Sequence, residues 1–147
     1  MIEKLLDKLT RTRFLAVVGA SGSGKSSLVR AGLTPALRGG MMIGAGSNWR
    51  IAVMRPSNDP IGNLARALNA TDVFGSDDTE NAAIQIAVAE ATLRLGSRGL
   101  IETVRQNVMP ETENLLVVVD QFEELFRFAH EARKARTDAG SVPRAVA

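Results

Sequence analysis

The sequence predicts an α/β protein built on a parallel sheet, and three observations carry that prediction. Two short runs, Phe14 to Val18 and Leu115 to Val119, are apolar at every position. Strands read this way when helices cover both faces of a parallel sheet. Amphipathic helical repeats separate the strand-like runs, so the order is strand, helix, strand, helices, strand, helix. A glycine-rich segment, Gly19 to Gly24, stands between the first apolar run and the helical repeat that follows it.

Each element has its own signal. Ile2, Leu5, Leu6 and Leu9 share one helical face, with Lys4, Asp7 and Lys8 turned away. Phe14 to Val18 is expected to be a central strand. From Lys25 a helix places Leu28, Val29, Gly32, Leu33 and Leu37 inward. Pro35 should bend or end it near Leu33, because the residue before proline avoids the α region. Gly39 to Asn48 holds four glycines and reads as a loop. Ile51 to Met54 is a second strand, closed by Arg55 and Pro56. Asp59 then caps a helix with Pro60 at its first position and Ile61, Leu64, Ala65 and Leu68 buried.

Asn69 to Thr79 is polar and acidic, a surface loop. Asn81 to Leu95 is the clearest helix, with Ile84, Ala87, Val88, Ala91 and Leu95 as its inner stripe and Gly96 as its stop. Ser97 is expected to cap the next helix, with Ile101, Val104 and Val108 inward and Pro110 ending it. Leu115 to Val119 is the third strand, buried on both faces and ending at Asp120. A helix with Phe122, Leu125, Phe126 and Ala129 on one side follows. After Glu131 no further element is signalled, and no internal repeat is visible.

Bulk properties are those of a soluble domain. The chain has 147 residues, 45% hydrophobic and 23% charged, enough for one core. Net charge is only +2 despite a pI near 9.5, and the excess is not gathered as nucleic-acid binding requires. The absence of cysteine excludes disulfides, thiolate metal sites and a cysteine nucleophile. Leu115 to Val119, which no wholly apolar run exceeds in length, is far short of the ~20 residues of a membrane span. Glu3 and Asp7 interrupt any signal-peptide pattern at the amino terminus. A soluble, cytoplasmic chain that contacts neither membrane nor nucleic acid is expected.

Chemistry concentrates in two places. Gly19-Ala20-Ser21-Gly22-Ser23-Gly24-Lys25-Ser26 matches G-x-x-x-x-G-K-[ST] at every fixed position, between a predicted strand and a predicted helix. Glycines there let the backbone curl so that its N–H groups converge on a phosphate, and the helix start adds positive field. The expected phosphate cradle is Gly19, Ser21, Gly22, Ser23, Gly24, Lys25, Ser26 and Ser27. Lys25 would reach the outer phosphates, and the Ser26 hydroxyl would hold magnesium. The bland alternative, a turn of small residues, gives no reason for lysine and serine at the helix start.

Asp120 is the second place. Alone, an apolar strand ending in Asp reads as a turn or cap. Behind a phosphate loop, it reads as the Walker-B carboxylate that holds magnesium through water. Glu123 or Glu124 could orient or deprotonate an attacking water, or both could simply complement the helix start. Other residues read as structural. His130 is a surface residue, and Phe122, Phe126 and Phe128 belong to a core. Arg133, Lys134 and Arg136 are solvated, and Trp49 packs.

Absent motifs narrow the class. No N-K-x-D guanine reader occurs, so ATP is favoured over GTP. Met109 to Asn114 holds no transporter-type L-S-G-G-Q signature, and a small-molecule kinase would lack Asp120-Gln121-Phe122-Glu123-Glu124.

With these residues in view, the chain resembles the novel-STAND class of P-loop NTPases common in bacteria. Three stretches carry the resemblance. They are Phe14 to Leu33, Trp49 to Pro60, and Val118-Val119-Asp120-Gln121-Phe122-Glu123-Glu124-Leu125-Phe126. The resemblance implies a three-layer P-loop sandwich with a parallel sheet, binding ATP with Mg²⁺ and hydrolysing it slowly as a signalling switch. It further implies attached sensor and effector domains, often WD-repeat sensors, and a possible homo-oligomer. It places the acidic pair at Glu123 and Glu124, whereas many relatives have glutamate where Gln121 stands. It also leads us to expect an incomplete sheet of the first three strands. Relatives carry a Gly-Arg-Glu segment before the first helix, and a further central strand bearing a sensor residue that has no counterpart in Arg133 to Ala147. On that expectation residues 1–130 form a partial domain and 131–147 a poorly structured tail. The alternatives are a non-enzymatic interaction piece, or another P-loop ATPase such as a transporter ATPase or small-molecule kinase.

Overall fold

The computed structural model describes residues 1–139. Seven α-helices and two strands follow in the order α1 (Ile2–Thr12), α2 (Lys25–Ser27), a π-helical turn (Leu28–Leu33), α3 (Thr34–Arg38), β1 (Trp49–Met54), α4 (Pro60–Leu68), α5 (Thr79–Arg94), α6 (Gly99–Gln106), β2 (Asn114–Val119) and α7 (Glu124–Ala139). β1 and β2 pair in parallel, Trp49 beside Asn114 through Met54 beside Val119, and α4 to α6 form the crossover between them. The α/β class and its parallel sheet are therefore as predicted.

Because successive strand side chains point to opposite faces, the sheet joins two separate cores. On one face Ala52, Leu115 and Val117 meet Ala65 and Leu68 of α4 and Ala89 and Leu93 of α5. On the other face Trp49 and Leu116 meet Leu6 and Leu9 of α1 and Leu33, Ala36 and Leu37 of the helical run after Lys25. Leu37 and Leu68 are fully buried, each side chain contributing about 1.5–3 kcal/mol of apolar burial. Asp59 caps α4 as its sequence predicts, accepting the Gly62 N–H at 3.1 Å.

Several expectations are corrected. Phe14 to Val18 is not a strand: it runs without a ladder partner, and Phe14 is 71% and Val18 92% exposed. Its Leu15 packs against the α1–α3 cluster, and Val17 is half-buried. An extended segment becomes a strand only when a neighbour takes its backbone hydrogen bonds, and no described strand pairs with this one. Two strands pair, rather than three. β2 is half-buried along its length rather than buried on both faces.

Pro35 does not stop its helix. Thr34 donates its N–H to Val29 O, five residues back, so the chain widens into a π turn before the proline. The wider turn relieves the clash between the proline ring and the preceding carbonyls, and α3 continues to Arg38.

The predicted inner stripe of α5 faces outward. Ile84, Val88 and Leu95 are exposed, while Ala89, Thr92 and Leu93 are buried and Ile86 packs beside them. This helix is apolar on both sides, and α4 and α6 decide which side is covered. Ser97 does not cap α6, whose N-cap is Arg98 without a side-chain bond. Ile101 and Val108 are exposed, and buried Thr103 holds the inner face with Gly99. The loop from Asn69 to Thr79 is not wholly superficial, since Val73 is buried and Phe74 packs on the core. Phe122 and Phe126 leave the core and stack edge-to-face on the surface, ring centres 5.9 Å apart. α7 continues past Glu131 to Ala139, where no element was expected. Residues 140–147 of the predicted tail lie outside the described residues.

Candidate functional site

The carboxyl ends of β1 and β2 and the glycine-rich loop meet on one side of the molecule. Gly22 and Gly24 have φ of 76° and 80°, a region that costs glycine little and other residues more. A Cβ at either would meet nothing within 4 Å, so the requirement at both is conformational rather than steric. Ser23 closes the turn by donating its N–H to Ala20 O at 3.2 Å. Lys25 folds back across the loop, its Nζ donating to Gly19 O at 2.7 Å and Ala20 O at 2.8 Å. Ser23, Gly24, Lys25 and Ser27 line a cleft of about 540 Å³ with Val17 and Val18. Ser21 and Gly22 are exposed.

Asp120 follows β2 and continues the ladder, its N–H donating to Met54 O at 2.9 Å. Its side chain is only 13% exposed and is held from two sides. Ser26 Oγ donates to Oδ1 at 2.8 Å, joining residues 94 positions apart. Arg30 Nη2 donates to Oδ2 at 3.0 Å, and Arg55 Nη2 lies 4.0 Å from the same oxygen. Ser26 and Arg30 are one helical turn apart, which is why both reach one carboxylate.

The two glutamates are placed differently. Glu124 Oε2 accepts the Ser57 N–H at 2.9 Å, and Oε1 accepts from the Gln121 amide at 2.8 Å. The Gln121 oxygen accepts from Arg55 Nη2 at 3.1 Å, the amide orientation in which both of its ends are satisfied. Gln121 and Ser57 each hold a positive φ, 57° and 45°, where the chain leaves the two strands. Glu123 is exposed, and its carboxylate has no hydrogen-bond partner among the described residues. His130 is exposed, as expected. Trp49 packs beside the α1–α3 cluster and donates its Nε1–H to Gly46 O at 3.2 Å.

The sequence reading missed Arg30, Arg55 and the bonding role of Gln121. Arg30 was findable from its spacing to Ser26. Arg55 was findable only through the strand register, which sets Met54 against Val119 and so brings Arg55 beside Asp120. A second cleft of about 580 Å³, lined by Trp49, Arg50, Asp72 and Glu113, lies at the opposite ends of the strands. Open α/β sheets bind their ligands beyond the carboxyl ends of the strands, which favours the glycine-loop side.

On one side of this α/β protein the parallel sheet thus brings an acidic strand end to a glycine-rich loop. The family model of Novel STAND NTPase 1 matches residues 1–139, and the chain belongs to that family. Searches of curated proteins and of solved structures gave no match. Among the described residues no helix is long and apolar enough to cross a membrane.

Proposed function

We propose that the chain binds ATP with Mg²⁺ as the nucleotide-switch module of a STAND-type signalling NTPase, on a P-loop framework. The observation that carries the proposal is the Ser26–Asp120 hydrogen bond, which brings the loop's metal-binding hydroxyl to the strand-end carboxylate. These residues fit magnesium chemically. Mg²⁺ takes one or two protein oxygens together with phosphate oxygens and water, so it needs no cluster of acids, and none occurs among the described residues. When bound, the ion neutralises charge on the outer phosphates.

In this reading the backbone from Gly19 to Gly24 cradles the phosphates, and Lys25 turns from the Gly19 and Ala20 carbonyls towards them. Ser26 and Asp120 hold the metal. Glu123, solvent-facing and free to move, is the base or water-orienting group. Glu124, committed to Ser57 and Gln121, positions the segment instead. With Gln121 following the metal carboxylate, hydrolysis is slow. ATP is preferred to GTP because no guanine-reading motif occurs. A cytoplasmic location, attached sensor and effector domains and homo-oligomer formation belong to the same proposal.

A second reading, a non-enzymatic interaction piece, is favoured by the exposed Phe14–Val18 run and the outward stripe of α5. Magnesium-dependent turnover would exclude it. The test of the main proposal is titration of the 147-residue chain with a fluorescent ATP analogue, with and without Mg²⁺, beside Lys25→Ala. The expected result is magnesium-dependent binding that the substitution weakens by about 2–5 kcal/mol. Equal affinity in both proteins would remove the assignment.

A further inference from the structure

One face of α5 is uncovered within the described residues. Ile84, Val88 and Leu95 are 62%, 53% and 83% exposed, and Ala91 between them is exposed as well. The opposite face, with Ile86, Ala89 and Leu93, is the one that packs into the core beside α4 and the sheet. Apolar residues scattered singly over a surface are ordinary, whereas a continuous stripe of them marks a contact surface.

The stripe has the spacing of a helix-to-helix seam. Ile84, Val88, Ala91 and Leu95 follow one another at intervals of 4, 3 and 4 residues. That alternation keeps a narrow line of side chains turned towards a second helix, while a helix lying on a broad core shows a wider apolar arc. Ala91 is small and Ala87 beside it is exposed too, so a second helix can approach closely. From Ile84 to Leu95 the seam is about 16 Å long at 1.5 Å per residue.

The two ends of the seam carry opposite charge. Asp77, Asp78 and Glu80 stand exposed at its start, and Arg94 and Arg98 stand exposed at its end. Asp78 caps the helix, and Arg94 is engaged with Glu90 and Asp59. The side chains of Asp77, Glu80 and Arg98 have no hydrogen bond or ion pair among the described residues. A face that is acidic at one end and basic at the other complements itself when turned end for end, which is the condition for an isologous two-fold contact. In that register Val88 meets Ala91 of the second copy, Ile84 meets Leu95, and the Asp77–Glu80 end meets Arg98. A parallel pairing would instead set like charges together.

We propose that the outer face of α5 is a self-association surface, through which two copies of this chain pair antiparallel about a two-fold axis between Val88 and Ala91. The contact rests on the homo-oligomer reading above and gives it a surface, but it does not depend on nucleotide. α5 packs on one face of the sheet, and α1 and the helical run after Lys25 pack on the other, so the pair leaves that second face free. A single pair of helices is at the small end of specific interfaces, which makes the dimer weak and dependent on concentration.

The test is analytical ultracentrifugation of the 147-residue chain over a range of concentrations. Beside it run Val88→Glu, Glu80→Arg, Arg98→Glu and the double reversal Glu80→Arg with Arg98→Glu. The parent should show reversible exchange between monomer and dimer. Val88→Glu puts a charge in the middle of the seam and should weaken association on the order of tenfold or more. Each single reversal should weaken it by roughly three- to tenfold, since the two-fold repeats every ion pair, and the double reversal should restore it. All of these positions are exposed, so urea midpoints close to the parent's separate loss of the contact from loss of the fold. A dimer untouched by Val88→Glu would overturn this surface while sparing the homo-oligomer. A double reversal no better than the single ones would overturn the antiparallel pairing. A chain that stays monomeric up to millimolar concentration would remove both the surface and the homo-oligomer.

Discussion

Removing the carboxylate in Asp120→Ala separates a structural ion pair from a metal ligand. The side chain is 13% exposed, but its partners Arg30 and Arg55 are 61% and 52% exposed, and Ser26 is exposed as well. All three can return to water once the carboxylate is gone, so no buried charge is stranded. The Arg30 pair is then worth about 0.2–1 kcal/mol. The Ser26 bond adds a further ~0.5–1.5 kcal/mol. A urea melt of Asp120→Ala should therefore show a loss of about 1–2 kcal/mol. That is well below the ~3–5 kcal/mol that follows when a buried pair is broken. Nucleotide titrations of the same variant should lose their dependence on Mg²⁺, because Ser26 alone is left to hold the ion. Two results would refute this reasoning. A stability loss above about 3 kcal/mol would make Asp120 a structural charge. Full magnesium dependence with the fold intact would put the metal elsewhere.

Two further predictions concern the scaffold. A Cβ at Gly99 would lie 2.6 Å from Leu93 O and 2.7 Å from Thr92 O, backbone atoms that cannot step aside. Gly99→Ala should thus push α6 from α5 and cost about 1–3 kcal/mol, read as a lower denaturant midpoint; an unchanged midpoint would refute the close approach. The Asp59 carboxyl is held below the usual carboxylate range, first by the Gly62 N–H and then by Arg66. A depressed folded value means that the unfolded chain binds the proton more readily. Asp59's contribution is complete above the unfolded value and is lost as pH falls through the folded one. Denaturant midpoints measured downward from pH 5 should fall less steeply in Asp59→Ala than in the parent; parallel curves would assign the acid sensitivity elsewhere.

What proved legible in the sequence was local. The Asp59–Pro60 helix start is readable because a cap and its amide lie three residues apart in the chain. The glycine loop is readable because Gly22 and Gly24 answer a backbone requirement set within the loop itself. β1 and β2 are readable because apolar runs of strand length have few other uses. The inner face of α5 was not readable. Ile84, Val88 and Leu95 form a helical stripe as regular as that of Ile86, Ala89 and Leu93, and periodicity cannot choose between two apolar sides.

Phe14 to Val18 shows the same limit in the backbone. Its composition marks it as a strand, yet strand formation depends on a neighbour that composition does not name. The site divides in the same way. Sequence alone identified Lys25, Ser26 and Asp120 as candidates, from residue types at fixed spacing. Only the tertiary structure set Ser26 and Arg30 on the Asp120 carboxylate, brought Arg55 beside them and separated tethered Glu124 from open Glu123. Conformational rules act within a few residues and leave their mark in the order of amino acids. Hydrogen bonds and ion pairs between distant segments depend on strand register and helix packing, which are settled only when the whole chain has folded.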